Sequence, residues 1–213
     1  MNCPGAVLMY KERQWSYKDL PQRWAELGIV HRFEKSGTMH GLFRVRHITQ
    51  DDAHIFCLSE QLVGEVIAMI DLVHEVFGHF GMSDIAVELS LRPRDRIGEE
   101  SLWDEAEDAL GAALKEKGIE YAVSLGEGAF YGPKIDFHVI DSLGRSWQCS
   151  TIQLDFNFPE RFDLEYIGAD NQAHRPVMLH RTILGSMERF IGILIEHYGG
   201  DFPLWLSPEQ AVL

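Results

Sequence analysis

The stretch Arg44-Val45-Arg46-His47-Ile48-Thr49-Gln50-Asp51-Asp52-Ala53-His54 decides how the rest of this chain is read. Side chains of an extended strand alternate between two faces, so Arg44, Arg46, Ile48, Gln50, Asp52 and His54 share one side. A row facing a core would be apolar. This one carries cations, an amide, a carboxylate and an imidazole, which suits the floor of a polar pocket. A hydrated outer sheet face is the plain alternative.

Working outward, a turn is expected around Ser36-Gly37 and His40-Gly41, between two segments that can pair as a hairpin. Residues 7–30 before it read as a helical or irregular lead-in ending near Gly28. Downstream, Ser59 can cap a helix through Leu62, Val66, Ile70, Val73 and Phe77, spaced by three and four residues. Ile85, Val87, Leu89 and Leu91 alternate with polar or small residues as a half-buried strand stopped by Pro93. A helix burying Trp103, Ala106, Leu110 and Leu114 ends near Gly118. Strands follow at 135–139 and 147–156, joined by a turn at Asp141 to Gly144. A last helix is expected to bury Met187, Phe190, Ile191, Leu194, Ile195 and Tyr198. Strands joined by hairpins, with helices grouped between them, predict an α+β fold with an antiparallel sheet.

Composition bounds the function. The 213 residues, 46% hydrophobic and 24% charged, suit one soluble domain. No apolar run approaches the roughly 18 residues that span a bilayer, and no signal-peptide pattern opens the sequence. Three widely spaced cysteines, Cys3, Cys57 and Cys149, fit a reducing cytoplasm better than a disulfide framework. A formal charge of −14 argues against a general nucleic-acid surface. The exception is local: between His31 and His47, Arg32, Lys35, Arg44 and Arg46 face one acid, Glu34, a patch suited to a nucleotide triphosphate. Neither a Gly-Lys-Ser/Thr phosphate loop nor a Gly-x-Gly-x-x-Gly fingerprint is present, so nucleotide binding needs another device.

Longer motifs carry a family resemblance. Arg32-Phe33-Glu34, the loop after it and Arg44 resemble motif 2 of class II aminoacyl-tRNA synthetases, and Gly185-Ser186-Met187-Glu188-Arg189-Phe190 resembles their motif 3. Met1-Asn2-Cys3-Pro4-Gly5, Thr49-Gln50-Asp51-Asp52-Ala53-His54, Gly126 to Lys134 and Pro176-Val177-Met178-Leu179-His180-Arg181 narrow the resemblance to the catalytic core of threonyl-tRNA synthetases. The resemblance implies a six- or seven-stranded antiparallel sheet flanked by helices that binds ATP and L-threonine. It implies formation of threonyl-adenylate and transfer of threonine to tRNA(Thr), with Mg2+ accompanying the ATP.

Residue by residue, the same resemblance assigns Cys3, His54 and His180 as ligands of one Zn2+. One thiolate and two imidazoles leave a fourth position open, as a working zinc site requires. No two of these ligands are close in sequence; read alone, Cys3 is a buried thiol and His54 a satisfied polar side chain. Gln50, Asp52, Tyr131 and Gln153 are implied to hold threonine; Arg32, Glu34, Arg44, Ile48, Gln148 and Arg189 to hold ATP. Arg32, Lys134 and Arg189 are the implied catalytic cations.

The resemblance further implies a catalytic core over residues 1–205 that lacks motif 1, the dimer-forming element of the class. Residues 206–213 would begin a linker to an anticodon-binding domain. Ala6, His47 and Ile48 depart from the family pattern, which puts a histidine, a glycine, and an aromatic or methionine there. Two other readings stand beside threonine activation: a paralogue loading threonine onto a non-tRNA acceptor, and a silent zinc-containing binding or regulatory module.

Overall fold

A computed structural model describes residues 2–212. The hairpin is there: β2 (Gln22–His31) pairs antiparallel with β3 (His47–Cys57), from Gln22 opposite Phe56 to His31 opposite His47. The lead-in reading is corrected. Residues 7–30 hold most of helix α1 (Cys3–Lys11), a short strand β1 (Trp15–Ser16), and then β2 itself. β2 lies at the sheet edge and is mostly exposed, so its sequence lacks the apolar alternation that marks a half-buried strand.

Beyond it come β4 (Ile85–Ser90), β5 (Ala122–Ser124), β6 (Lys134–Ile140), β7 (Ser146–Asp155), β8 (Tyr166–Ile167), β9 (Ala173–His174) and β10 (Val177–Thr182). Seven of these strands form one sheet in the order β2-β3-β10-β7-β6-β4-β5, and β1-β8-β9 form a small second one. Neighbours in the large sheet are antiparallel except β4 and β5, a departure from the all-antiparallel expectation. Helix α3 (Glu100–Glu116) carries the chain between those two, and a parallel pair needs such a crossover.

Alternation along the strands builds two different faces. Ala53, Ile55, Ile135, Phe137, Ile152, Leu154 and Leu179 point backward into the main core with α2 (Leu62–His79), α3 and α5 (Met187–Tyr198). Each such large side chain contributes about 1.5–3 kcal/mol on burial. On the front face, Phe56 and Met178 meet Tyr10 of α1 together with Trp15 and Trp24. The Tyr10–Phe56 and Trp24–Phe56 ring centroids lie 4.6 and 5.4 Å apart. α1 therefore seals only one end of the front face and leaves the other open.

Two local expectations are revised. Ser59 opens a 3₁₀ turn, Ser59–Gln61, and α2 starts at Leu62, where the Gln61 side chain accepts the Leu58 N–H at 3.0 Å. In α5, Phe190, Ile193 and Leu194 are buried while Ile191 and Ile195 are 46% and 45% exposed. Apolar residues wrap more than one side of α5, so spacing alone does not select the buried stripe. Packing does: Gly192 sits against Phe43, where a Cβ would come within 3.3 Å of the ring.

Candidate functional site

His54 and His180 are direct cross-strand partners on β3 and β10, their rings 5.1 Å apart and nearly perpendicular. The first turn of α1 brings Cys3 over them, and one ligand atom from each of the three lies within 4.8 Å of the others. The cluster sits where the sealed end of the front face meets the open end: Phe56 and Met178 lie one strand pair behind it in the aromatic cluster. Cys3 is 7% and His54 2% exposed.

The donors fit a metal ion. His54 Nε2 is buried and has no hydrogen-bond partner among the described residues; Asp52 Oδ2 lies 3.8 Å away. An unpaired buried nitrogen costs about 1–3 kcal/mol, which a coordination bond would relieve. Burial and the nearby His180 push His54 down to about 4, so its ring is neutral and free to ligate. Burial also opposes charge on His180, but its hydrogen bonds with Asp155 and Cys3 outweigh that and hold it up at about 9. The Asp155 contact is His180 Nε2 to Oδ2, 3.1 Å. It occupies one ring nitrogen; the other would coordinate once a metal ion displaces its proton, with the carboxylate behind the ring as is usual for histidine ligands.

Asp155 was not picked out in the sequence. It is fully buried, and its Oδ1 accepts the N–H groups of Asn157 and Phe158 at 2.7 and 3.0 Å, opening α4 (Asn157–Arg161). An acid closing a strand just before a helix was the available signal. Asp51 was also missed. It accepts from the backbones of Ile183, Leu184 and Gly185 at 2.8 to 3.1 Å, tying β3 to the turn that enters α5. That turn needs glycine at 185: φ is +71°, and a Cβ would stand 2.5 Å from the Cys149 carbonyl oxygen.

The open end of the front face is a cavity of about 420 Å³. Cys3, Arg32, Gln50, Asp52, Tyr131, Gln153 and His180 all line it, so the structure brings together the proposed threonine ligands, two metal-ligand candidates and the first motif 2 arginine. The Tyr131 hydroxyl donates to Gln153 Oε1 at 2.8 Å, and its pKa is raised to about 12, chiefly by burial and then by Asp155. Burial raises Asp52 as well, while His180 opposes that shift.

The other expected residues do not line this cavity. Lys134 is paired with Asp136, which also accepts from Gln148 at 2.6 Å and from Thr151 at 2.9 Å. Arg189 donates to the carbonyls of Phe43 and Gln148 at 2.9 and 3.1 Å, with its guanidinium over Trp147. Ile48 is buried. Arg44 is half exposed and donates to Glu34 Oε2 through Nε at 3.1 Å and Nη2 at 2.9 Å. Arg46 donates to the Glu34 carbonyl. The local positive patch is thus partly neutralised by its single acid.

The pocket lies on the front face of a seven-stranded, mostly antiparallel sheet, and the chain belongs to a class built this way: the family described as tRNA synthetase class II core domain (G, H, P, S and T) matches residues 1–198. Among curated relatives, the chain is 60% identical over 210 residues to threonine–tRNA ligase of Carboxydothermus hydrogenoformans, covering 99% of this chain and 33% of the relative. It is 55% identical over 213 residues to threonine–tRNA ligase of Magnetococcus marinus, covering 100% of this chain and 33% of the relative. The chain therefore spans about a third of the length of the curated relatives it matches. A solved structure described as the RNA binding domain of threonyl-tRNA synthetase from Cryptosporidium parvum superposes with a TM-score of 0.95 at 47% identity. That match covers 98% of this chain and 52% of the other. A prolyl-tRNA synthetase from Giardia lamblia shares the fold, at TM-score 0.63 and 18% identity over 92% of this chain and 33% of that one. Among the described residues no helix is long and apolar enough to cross a membrane.

Proposed function

We propose that the chain carries the amino-acid-activating site of a threonine–tRNA ligase. It joins L-threonine and ATP into threonyl-adenylate, releases pyrophosphate, and as part of the whole enzyme passes threonine to tRNA(Thr). The observation that carries this reading is the convergence of Cys3, His54 and His180, with Cys3 and His180 on the wall of a pocket that Asp52 and Arg32 also line and His54 buried behind it. Zinc, held by those three residues, would supply an open position for the amino group and hydroxyl of threonine.

Specificity follows from that hydroxyl. Valine has the same shape without it, and an apolar pocket separates such pairs by only about 10- to 200-fold. A site built to bind the oxygen rejects the analogue lacking it by about 10⁴ or more, because its own polar groups are left unpaired. Asp52, buried beside His54, accepts from an N–H of the substrate amino group, with Tyr131 and Gln153 as a linked polar wall. Arg32 spans the amino-acid carboxylate and the α-phosphate. It aligns the attacking oxygen with phosphorus and stabilises the charge that builds there. The attacking oxygen forms the new P–O bond as the bond to the pyrophosphate oxygen breaks; the carboxylate is already ionised, so no protein base is needed.

Lys134 pairs in register with pocket-lining Gln153, Gln148 donates to pocket-lining Thr151, and Arg189 donates to the Gln148 carbonyl, which supports ATP with Mg2+ extending in that direction; Arg44 and Glu34 would reach it by exchanging their mutual ion pair for phosphate and adenine. The test is pyrophosphate exchange into ATP by this chain with threonine, serine or valine. The proposal expects exchange with threonine, weaker exchange with serine, and none above background with valine. Absence of threonine-dependent exchange in zinc-loaded protein would overturn it.

A further inference from the structure

Asn2 stands at the N-cap of α1, where an asparagine side chain usually accepts a backbone N–H and contributes about 1 kcal/mol. Here it makes no such bond. Its carboxamide lies instead over Gly28, in the middle of β2, and lines the front-face cavity beside Cys3, Arg32, Gln50 and Asp52. Gly28 is directly opposite Gln50 in register. A Cβ on Gly28 would fall 1.8 Å from Asn2 Nδ2. No positive φ requires glycine at this position, and glycine inside a strand weakens it. The missing side chain is the space the carboxamide occupies. Nδ2 is nevertheless buried with no hydrogen-bond partner among the described residues. The molecule thus forgoes a helix cap and places a glycine in a strand to hold an unsatisfied donor at the cavity wall.

We infer that Asn2 is a substrate-positioning residue whose side-chain amide donates a hydrogen bond to an oxygen of the bound amino acid, and that Gly28 exists to admit it. The inference rests on the threonine-activation reading and adds a contact to that site. The neutral amide is the group suited to this position. It satisfies an oxygen without adding a cation beside the metal cluster.

The test compares Asn2→Ala, Asn2→Asp and Gly28→Ala with the parent chain in pyrophosphate exchange, with bound zinc and Tm measured on each. All three variants are expected to raise KM for threonine about tenfold, the worth of one hydrogen bond to a charged or strongly polar oxygen. KM for ATP should stay within twofold and zinc content unchanged. Gly28→Ala is informative because it alters no polar group of the pocket, only the room for the carboxamide. Inhibition by L-threoninol, which keeps the amino group and hydroxyl of threonine but has an alcohol in place of the carboxylate, assigns the oxygen. A parallel loss of its affinity in Asn2→Ala marks the side-chain hydroxyl, and an unchanged affinity marks the carboxylate; either supports the inference. An Asn2→Asp protein with parental KM would overturn it, because that side chain keeps the shape and loses the donor. So would a Glu26→Ala protein that reproduces the Asn2→Ala defect, since Glu26 is the next side chain near Gly28, its carboxyl carbon 3.4 Å from the same Cβ position. Failure of threonine exchange in the parent itself would instead sink the broader proposal.

Discussion

The two ends of the β2–β3 hairpin sit in opposite solvents. At the sealed end, His54 is flanked by α1 and the aromatic cluster, and Asp52 beside it and Asp155 beside His180 are 7% and 0% exposed. At the turn end, Arg44 is half exposed, Phe33 is 93% exposed, and the ion pair of Arg44 with Glu34 lies against water. Charges at the first end act in a low-dielectric wall and are held by backbone and buried partners. Those at the second are screened, and a surface ion pair is worth about 0–1 kcal/mol. The hairpin joins a rigid end that reads the amino acid to an adaptable end that can rearrange around phosphate.

The sharpest way to break this contrast is at the metal cluster. Cys3→Ala or His180→Ala should lose bound zinc and threonine-dependent exchange together, by about a thousandfold or more, since three protein ligands are the minimum of a working site. Zinc at full stoichiometry in either variant, read by atomic emission, would remove the ligand assignment. Arg32→Ala should keep its zinc and lose about 10²–10³ in exchange rate, the scale of one lost transition-state donor. An unchanged rate would end its role. Asp155→Asn should weaken zinc binding about 10- to 100-fold, the usual effect of removing an outer-shell partner. Competition with a chelator measures this, and parental affinity would show that the Asp155 contact to His180 merely fills space. The smallest effect is expected at the turn end. Arg44→Ala should shift unfolding by no more than about 1 kcal/mol and raise KM for ATP while leaving KM for threonine alone. A loss of stability well above that would erase the contrast between the two ends.

How much of this was legible beforehand differs from one element to the next. The alternation Arg44, Arg46, Ile48, Gln50, Asp52, His54 named a polar face; the strand begins only at His47, so Arg44 and Arg46 fall outside it, while Gln50 and Asp52 line the cavity with His54 behind them. The α2 and α3 stripes were equally readable, because a long amphipathic helix repeats its signal over several turns. β2 was not, since an edge strand carries no periodic burial. Asp155 and Asn2 escaped for another reason: each is defined by what it touches across the fold, His180 in one case and Gly28 in the other. The α5 stripe was displaced because its apolar residues surround the helix and only Phe43 and the core choose among them.

Local order along the chain, then, determined most of the strands and helices, β2 excepted, and which motifs mark the family, since those properties repeat within a few residues. Tertiary structure alone decided that Cys3, His54 and His180 meet. Antiparallel register sets His54 opposite His180, and packing of Tyr10 against Phe56 lowers α1 onto them. That convergence comes from long-range register and burial, and no stretch of neighbouring residues encodes it.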